Sequence, residues 1–245
     1  MNDPYSSAKD AIRKARLVIA LTGAGISVES NIPDFRGPNG IWVRYPPEEY
    51  ANIEAYLANP DKVWAFWLAL GRMCKECKPN PAHWALAALE DAGLLRAVIT
   101  QNIDNLHQDA GSREVLEYHG NARWLVCLAC GAREPFDLDA ASAHAPHCVC
   151  GGLKKPDVVM FGEPIPPRAL READRFAREC DVALVVGTSA QVYPAAGIPA
   201  TAKQHGAFVI ETNIEKTALT ATVTDVFLEG PAGTTLPKLV STLLA

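Results

Sequence analysis

The sequence predicts an α/β protein built on a parallel sheet with helices on both faces, carrying a small inserted domain in two pieces. Three observations predict it. Short apolar runs alternate with helical patterns along most of the chain, an aromatic-rich stretch from Gly40 to Pro79 interrupts the alternation, and a cysteine-bearing stretch from Arg123 to Pro156 interrupts it again. Alternating strands and helices imply parallel strands covered on both sides.

The segment Ser7 to Ala15 reads as a short helix. Leu17 to Thr22 is a continuous apolar run ending in Gly23-Ala-Gly25, the pattern of a buried parallel strand entering a tight turn. Similar runs recur at Ala97 to Thr100, Val182 to Val186, Phe208 to Ile210 and Val226 to Leu228. Helical patterns cover Pro81 to Ala92, Arg168 to Glu179, Ala195 to His205 and Leu236 to the C-terminus. The aromatic stretch, with Trp42, Tyr45, Tyr50, Tyr56, Trp64, Phe66 and Trp67, reads as helices capping the core. The cysteine stretch has little apolar periodicity and requires something besides a hydrophobic core to hold it. The expected division is therefore 1–40, 80–122 and 157–245 for the sheet domain, with 41–79 and 123–156 forming the small domain.

A chain of 245 residues can bury a sizeable core, and with 49% hydrophobic and 21% charged residues it is ordinary globular material, which excludes disorder, collagen and coiled coil. No apolar run reaches the roughly 18 residues of a membrane span, and the first residues lack a basic region followed by an apolar one, so the expectation is a cytoplasmic protein with no membrane partner. A net charge of −5 argues against a nucleic-acid partner bound through bulk charge. Seven cysteines without a secretion signal indicate thiols, metal ligation or catalysis rather than a disulfide framework.

Cysteine spacing sharpens this. Cys127-Leu-Ala-Cys130 and Cys148-Val-Cys150, followed by Gly131, Gly151 and Gly152, can surround one tetrahedral zinc ion with four thiolates, leaving no position open for water, so the metal is expected to be structural. The second pair is C-x-C rather than C-x-x-C, which leaves His144 or His147 as alternative ligands. Cys74-Lys-Glu-Cys77 is a competing pair, open to a redox or metal role or to being neighbours on a helix. Cys180 is expected at the start of a strand, in the core.

Gly23-Ala-Gly25-Ile-Ser27 follows a predicted strand, where glycines let the backbone approach a pyrophosphate. Alone the signal is weak, because Val28 replaces the third glycine of the dinucleotide fingerprint. Three further turns follow predicted strands: Gln101-Asn-Ile-Asp104, Gly187-Thr-Ser189 and Glu211-Thr-Asn213. Ligands of open α/β sheets bind beyond the strands' carboxyl ends, and one extended dinucleotide is the simplest occupant of several such turns.

For chemistry, Asn102, Asp104 and His119 lie near predicted strand ends, and a histidine suits general-base work near neutral pH. Asp34-Phe-Arg36 lies on a Pro- and Gly-rich loop, Pro33 to Gly40, suited to a lid or equally to a surface turn with an ion pair. His83 and His107 read as structural, and His205 as a helix-terminal residue favoured by the dipole.

Gly23 to Arg36, Thr100-Gln-Asn-Ile-Asp104, His119-Gly120, the cysteine pairs, Val158-Val-Met-Phe-Gly-Glu163 and Gly187-Thr-Ser189, taken in this order over nearly the whole chain, resemble the motif series of the sirtuin family, in its bacterial and archaeal form. The resemblance implies a Rossmann-like domain binding NAD against a zinc module, and transfer of an acyl group from lysine to ADP-ribose with release of nicotinamide. It implies that Ala24, Asp34, Arg36 and Gln101, with Gly23, Gly25, Ser27 and Phe35, line the dinucleotide. Asn102 and Asp104 would surround the nicotinamide pocket and ribose, while Gly187, Thr188, Ser189, Asn213 and Ala232 would hold the phosphates and adenosine. His119 would be the general base. Val159, Met160, Phe161, Gly162 and Glu163, with Val192, would hold an acylated peptide as an added strand. Family members that prefer acidic acyl groups carry Tyr and Arg where this chain has Trp67 and Leu70, so acetyl or longer apolar acyl groups are expected, with Arg44 and Arg72 nearby. The rival readings are a mono-ADP-ribosyltransferase using the same NAD site, a nucleotide sensor without catalysis, and a dehydrogenase, which would make NADH.

Overall fold

A computed structural model describes residues 3–37 and 40–244, so Pro38 and Asn39 of the expected loop, and the last residue of the expected C-terminal helix, lie outside the described residues. Nine strands are described, β1 Val18–Thr22, β2 Ala97–Thr100, β3 Val115–Glu117, β4 Gly120–Cys127, β5 Arg133–Pro135, β6 Lys154–Val158, β7 Val182–Val186, β8 Phe208–Asn213 and β9 Val226–Glu229. Six form one parallel sheet in the order β3-β2-β1-β7-β8-β9, and three form a small antiparallel sheet in the order β5-β4-β6.

Every residue of β1, β2 and β7 is buried, which is why these strands read as unbroken apolar runs rather than as alternations. Val18 and Ala20 face helices α1 (Pro4–Lys14), α6 (Pro81–Asp91) and α11 (Ala232–Leu244), against Ile12, Leu86, Leu89, Leu236 and Leu239. Ile19 and Leu21 face the opposite layer, where α8 (Pro167–Glu179) and α9 (Ile198–Gln204) bring Ala173, Phe176 and Ala202. The expected strands and helices are found with their ends shifted. The helix from Ser7 extends back to Pro4 because Asp3 caps it by accepting the Tyr5 N–H. The segment from Ala195 splits into a 3₁₀ turn and α9, with Pro199 in the first turn of α9. Cys180 caps α8 and is buried, but the strand begins two residues later at Val182.

The aromatic stretch is helical as expected, in α2 (Ile41–Arg44), α3 (Pro47–Tyr50), α4 (Ile53–Ala58) and α5 (Pro60–Cys74). It does not cap the large sheet, however. Tyr56, Val63, Trp64, Phe66 and Trp67 pack with Leu125, Val158 and Met160 from around the small sheet, making a third core separate from the two that cover the parallel sheet. The Trp64 indole donates to the Ser142 carbonyl at 3.0 Å, and the Tyr56 hydroxyl donates to the Lys154 carbonyl, so the aromatics carry their polar atoms to the cysteine stretch.

Four thiols complete this second body. Cys127 and Cys150 sulfurs lie 3.6 Å apart, Cys130 and Cys148 sulfurs 3.8 Å apart, and all four fall within 4.8 Å of one another. A zinc tetrahedron with bonds of about 2.3 Å has sulfur edges near ~3.8 Å, so the four fit one ion and are too far apart to be disulfides. Amides of Cys130 and Ala129 aimed at the Cys127 sulfur hold that thiol below the ordinary cysteine range. The C-x-C pair closes because Gly151, at φ +85°, turns the chain at once. The cluster holds the four cysteines and neither histidine, and His144 Nδ1 is instead bonded to Asp61 Oδ2 at 2.9 Å. Among the described residues no helix is long and apolar enough to cross a membrane.

Removing the metal should separate the two bodies experimentally. With a chelator, exchange of the Leu125, Val126 and Lys155 amides should accelerate on the order of a hundredfold while the β1 and β7 amides stay slow, because comparably small metal modules draw most of their folding energy from the ion. Equal protection of the small sheet with and without zinc would show that packing alone holds it.

Candidate active site

The strand order reverses between β1 and β7, so the chain leaves their carboxyl ends in opposite directions and a crevice opens there. The turns bounding it touch backbone to backbone: the Gly23 N–H donates to the Val186 carbonyl at 3.0 Å, and the Gly25 N–H to the Gly187 carbonyl at 2.8 Å. A Cβ on Gly25 would stand 2.7 Å from the Gly187 Cα, and Gly187 itself sits at φ +57°. The glycines therefore serve this contact first, and through it leave the crevice floor as bare backbone. Beyond Gly23 the chain enters a 3₁₀ turn, Ala24–Ser30.

A cavity of about 1010 Å³ fills the crevice, at the upper end of the range for small-molecule sites and roomy enough for a dinucleotide. Gly23, Ala24, Gly25, Gln101 and Asn102 form its floor. Gly187, Thr188 and Ser189 follow from β7, Asn213 from the end of β8, and Ala232 from the start of α11. Asp34, Phe35 and Arg36 border it from the loop, where the Asp34 carboxylate accepts the Gly37 N–H at 3.1 Å. The opposite wall carries His119, Val159, Met160, Phe161, Gly162 and Glu163, with Val192 beside them. Ser27 and Asp104 lie deeper, lining a side cavity of about 60 Å³ that shares Ala24, Phe35, Trp67, Asn102 and Ile103 with the main one. Glu211 and Thr212, expected in a turn, are inside β8. The Glu211 carboxylate is buried and accepts the hydroxyls of Thr217, Thr220 and Thr224 at 2.5, 2.7 and 2.6 Å, so it faces away from the crevice.

The deep polar residues form one hydrogen-bonded chain. The Asn80 N–H donates to His83 Nδ1 at 3.3 Å, which puts the imidazole hydrogen on Nε2, directed at the Ser27 hydroxyl 3.5 Å away. Ser27 Oγ also accepts from Asn102 Nδ2 at 3.0 Å and donates to Asp104 Oδ2 at 2.7 Å. Asn102 Nδ2 further donates to the Gly23 carbonyl at 3.1 Å, and Asp104 Oδ1 accepts the Leu106 N–H at 2.9 Å. Burial pushes the Asp104 carboxyl above the ordinary carboxylate range despite these donors, and it drives His83 down to about 4, keeping the imidazole neutral. His83 thus belongs to the polar floor of the site, although its position on a helix gave it a purely structural reading. A signal was available in Asn80-Pro81-x-His83, since Asn80 caps α6 and also donates to the Ile26 carbonyl at 2.7 Å, tying the helix start to the 3₁₀ turn.

His119 stands where the chain passes from β3 to the small sheet. A carbonyl can only accept, so the 3.1 Å contact between His119 Nδ1 and the Gln101 carbonyl places the hydrogen on Nδ1 and leaves the Nε2 lone pair without that proton. Burial lowers its pKa below the usual histidine value, so the ring is neutral at physiological pH. Its own carbonyl accepts the Val159 N–H at 2.9 Å, joining His119 to the extended segment beside it. A neutral imidazole with a free acceptor nitrogen, set between glycine turns and an extended segment, can take a proton from a ligand lying across both.

The extended segment is partly engaged already. The Phe161 N–H donates to the Ala51 carbonyl at 2.8 Å and its carbonyl accepts the Ile53 N–H at 3.0 Å, so one edge of Phe161 is paired with the helical module. Among the described residues the Val159 carbonyl has no partner in the chain. The Cys74 and Cys77 thiols join no cluster of metal-ligating groups among the described residues, and burial raises the Cys74 thiol to about 12.

Comparison with known proteins places this geometry. The Sir2 family model matches residues 23–194. An NAD-dependent protein deacylase of Thermococcus kodakarensis is 48% identical over 236 residues, covering 94% of this chain and 91% of the relative. A Sir2 homologue solved in complex with NAD superposes with a TM-score of 0.92 at 42% identity, over 98% of this chain and 93% of that one. A Sir2 protein solved with a myristoylated histone peptide superposes with a TM-score of 0.82 at 41% identity, over 99% and 97%. With its zinc-type cysteine cluster, switch-point crevice and imidazole on the shared wall, the chain belongs to the Sir2 family.

Proposed function

We propose that this chain is an NAD-dependent protein-lysine deacylase that removes acyl groups from lysine side chains of proteins or peptides. The observation that carries the reading is the position of His119: a neutral imidazole on the wall shared by a dinucleotide-sized crevice and an extended, partly unpaired backbone segment. In this reading 1–40, 80–122 and 157–245 form the NAD-binding domain and 41–79 with 123–156 the small domain. The third core supports that division, with Val158 and Met160 as crossing points.

Bound NAD supplies the ADP-ribosyl acceptor for the acyl group and gives up nicotinamide. The chain's residues do the rest. The glycine turns offer backbone to the diphosphate, with Thr188, Ser189 and Asn213 around it. Ser27, Asn102 and Asp104 orient the nicotinamide end and stabilise positive charge that grows on the ribose as the glycosidic bond weakens. The Val159 carbonyl and Val192 grip the peptide backbone, while Phe161 and Met160 exclude water from the acyl-lysine stem. His119 Nε2 then removes a proton from a ribose hydroxyl, with Nδ1 anchored on Gln101 so that the imidazolium formed keeps its hydrogen-bond partner.

Acyl preference follows from charge. The acyl-lysine path along the main cavity runs past Trp67, Met160 and Phe161, while Arg44 and Arg72 are exposed and line neither cavity. An acidic acyl group would meet apolar walls there, with neither of those two arginines placed to compensate its charge.

His119→Ala should lower acyl-peptide-dependent nicotinamide release by about 10²–10⁴-fold, the usual range for a general base; turnover within twofold of wild type would overturn the assignment. Because the base works unprotonated and burial holds its pKa below the ordinary value of about 6.5, activity should fall as pH drops below that point, and kcat/KM should be flat from pH 7 to 8. A limb centred above pH 7 would assign the proton transfer elsewhere. Mass spectrometry on acetyl-, long apolar acyl- and succinyl-lysine peptides should show the first two deacylated at least about tenfold faster than the third. ADP-ribosylated protein as the sole product would favour the transferase reading instead.

A further inference from the structure

Behind the extended wall lies a buried charge pair that takes no part in the chemistry above. Lys155, on β6, has a side chain only 5% exposed, and its ammonium meets Glu163 Oε2 at 3.0 Å, the latter side chain 18% exposed. The same ammonium donates to the Val158 carbonyl at 2.6 Å and the Pro156 carbonyl at 3.3 Å. Glu163 Oε2 also accepts the Met160 N–H at 2.9 Å, and the Glu163 N–H donates to the Met160 carbonyl at 3.0 Å. The pair therefore holds the backbone on both sides of Val159.

A buried ion pair seldom adds net stability over an apolar pair of the same volume, so its value here lies in geometry. All four residues border the cavity, but Val158 and Met160 are each 2% exposed and pack into the third core, whereas Val159 is half-buried and Phe161 is 41% exposed. In extended backbone successive residues face opposite ways, and a slip of one position would send Val159 inward and Met160 outward. The Val158 carbonyl and the Met160 amide are the backbone groups that would re-pair in such a slip, and these are the groups that Lys155 and Glu163 occupy. Val159 is left with its amide on the His119 carbonyl and its own carbonyl free at the cavity.

We infer that Lys155 and Glu163 are positioning residues that fix the register of the substrate-holding segment, so that the Val159 carbonyl and the Phe161 ring face the peptide and stay in step with His119. Glu163 thus acts on substrate through the backbone rather than by touching it. The inference rests on the deacylase reading, and wild-type turnover of an acyl-lysine peptide with NAD tests that reading separately.

The test compares full-length wild type with Glu163→Gln, which keeps an acceptor for the Met160 amide but removes the charge, and with Lys155→Met and Lys155→Arg. Loss of a register staple removes uniform binding of the peptide, so Glu163→Gln and Lys155→Met should each raise KM for the acyl peptide by about tenfold while kcat and KM for NAD stay within about twofold. Lys155→Arg, which keeps the charge and the donors, should restore most of the peptide affinity. The Lys155→Met, Glu163→Gln double variant should be no worse than the poorer single, because the two residues act on one segment. Thermal unfolding of each variant separates a merely structural role: a lower midpoint with reduced active fraction and an unchanged peptide KM would overturn the inference. So would an equal rise in both Michaelis constants. If Lys155→Met fails to fold, Glu163→Gln and Lys155→Arg decide by the same peptide-against-NAD split.

Discussion

Two peptide turns pressed together without side chains between them fix the geometry of the site. Gly25 against Gly187 brings the ends of β1 and β7 within backbone hydrogen-bonding distance, and any side chain at either position would force the turns apart. That closeness sets where Gln101 and Asn102 can reach. Gln101 Nε2 bonds Thr188 Oγ1 at 3.0 Å across the gap, and Asn102 Nδ2 returns to the Gly23 carbonyl. His119 in turn leans on the Gln101 carbonyl. His119 is therefore positioned, at two removes, by a contact that only glycine permits, and widening the gap by one methyl group would be felt at the imidazole.

The floor beneath this contact is polar, buried and almost fully satisfied, which is a demanding arrangement. Thr22 Oγ1 bonds Thr100 Oγ1 and His107 Nε2, both at 2.9 Å, and Thr100 Oγ1 accepts the Asn102 amide at 3.0 Å, so the Ser27 chain and the threonine layer meet at Asn102. Burial drives His107 down to about 3, and its ring stands edge-on to His83 at 4.9 Å, two neutral imidazoles where charge would be expensive. Neutral histidines tolerate a developing positive charge nearby without adding to it. Asp104, pushed toward its protonated form in the resting site, gains most from a cation beside it. The pocket is thus biased to favour charge on the ligand over charge on itself, the sense of bias that glycosidic cleavage needs.

Much of this was legible in the sequence, and the failures have physical reasons. The parallel strands were readable because burial on both faces makes them continuous apolar runs, and the metal cluster was readable because ligand spacing survives without any fold. β3 was missed because Val115-Leu116-Glu117 has only two apolar residues, the rest of its stability coming from pairing with β2. β4 was missed for another reason: its burial alternates only loosely along Gly120–Cys127. The Glu211-Thr-Asn213 turn was misplaced by three residues because a buried carboxylate inside a strand looks polar until its three threonine partners are seen. His83 and Lys155 were not singled out for the site because each acts through partners distant in sequence or through backbone atoms. A side chain whose target is a carbonyl leaves no residue pattern to read.

The two bodies of the molecule are joined by the chain at few places, and the site uses two of them side by side. One passage is Tyr118-His119-Gly120, leaving β3 for β4, with the Tyr118 amide on the Thr100 carbonyl at 2.9 Å. The other is Val158-Val159, leaving β6 on the way back. They are bonded to each other through the His119 carbonyl and the Val159 amide, and Gly120 at φ +80° lets them lie close, since a Cβ there would stand 2.1 Å from the Asp157 carbonyl oxygen. A base mounted on either body alone would shift against whatever the other body holds. In the proposed reading His119 is mounted on the crossing and bonded to the segment that would face the peptide, so the base is tied to both bodies at once.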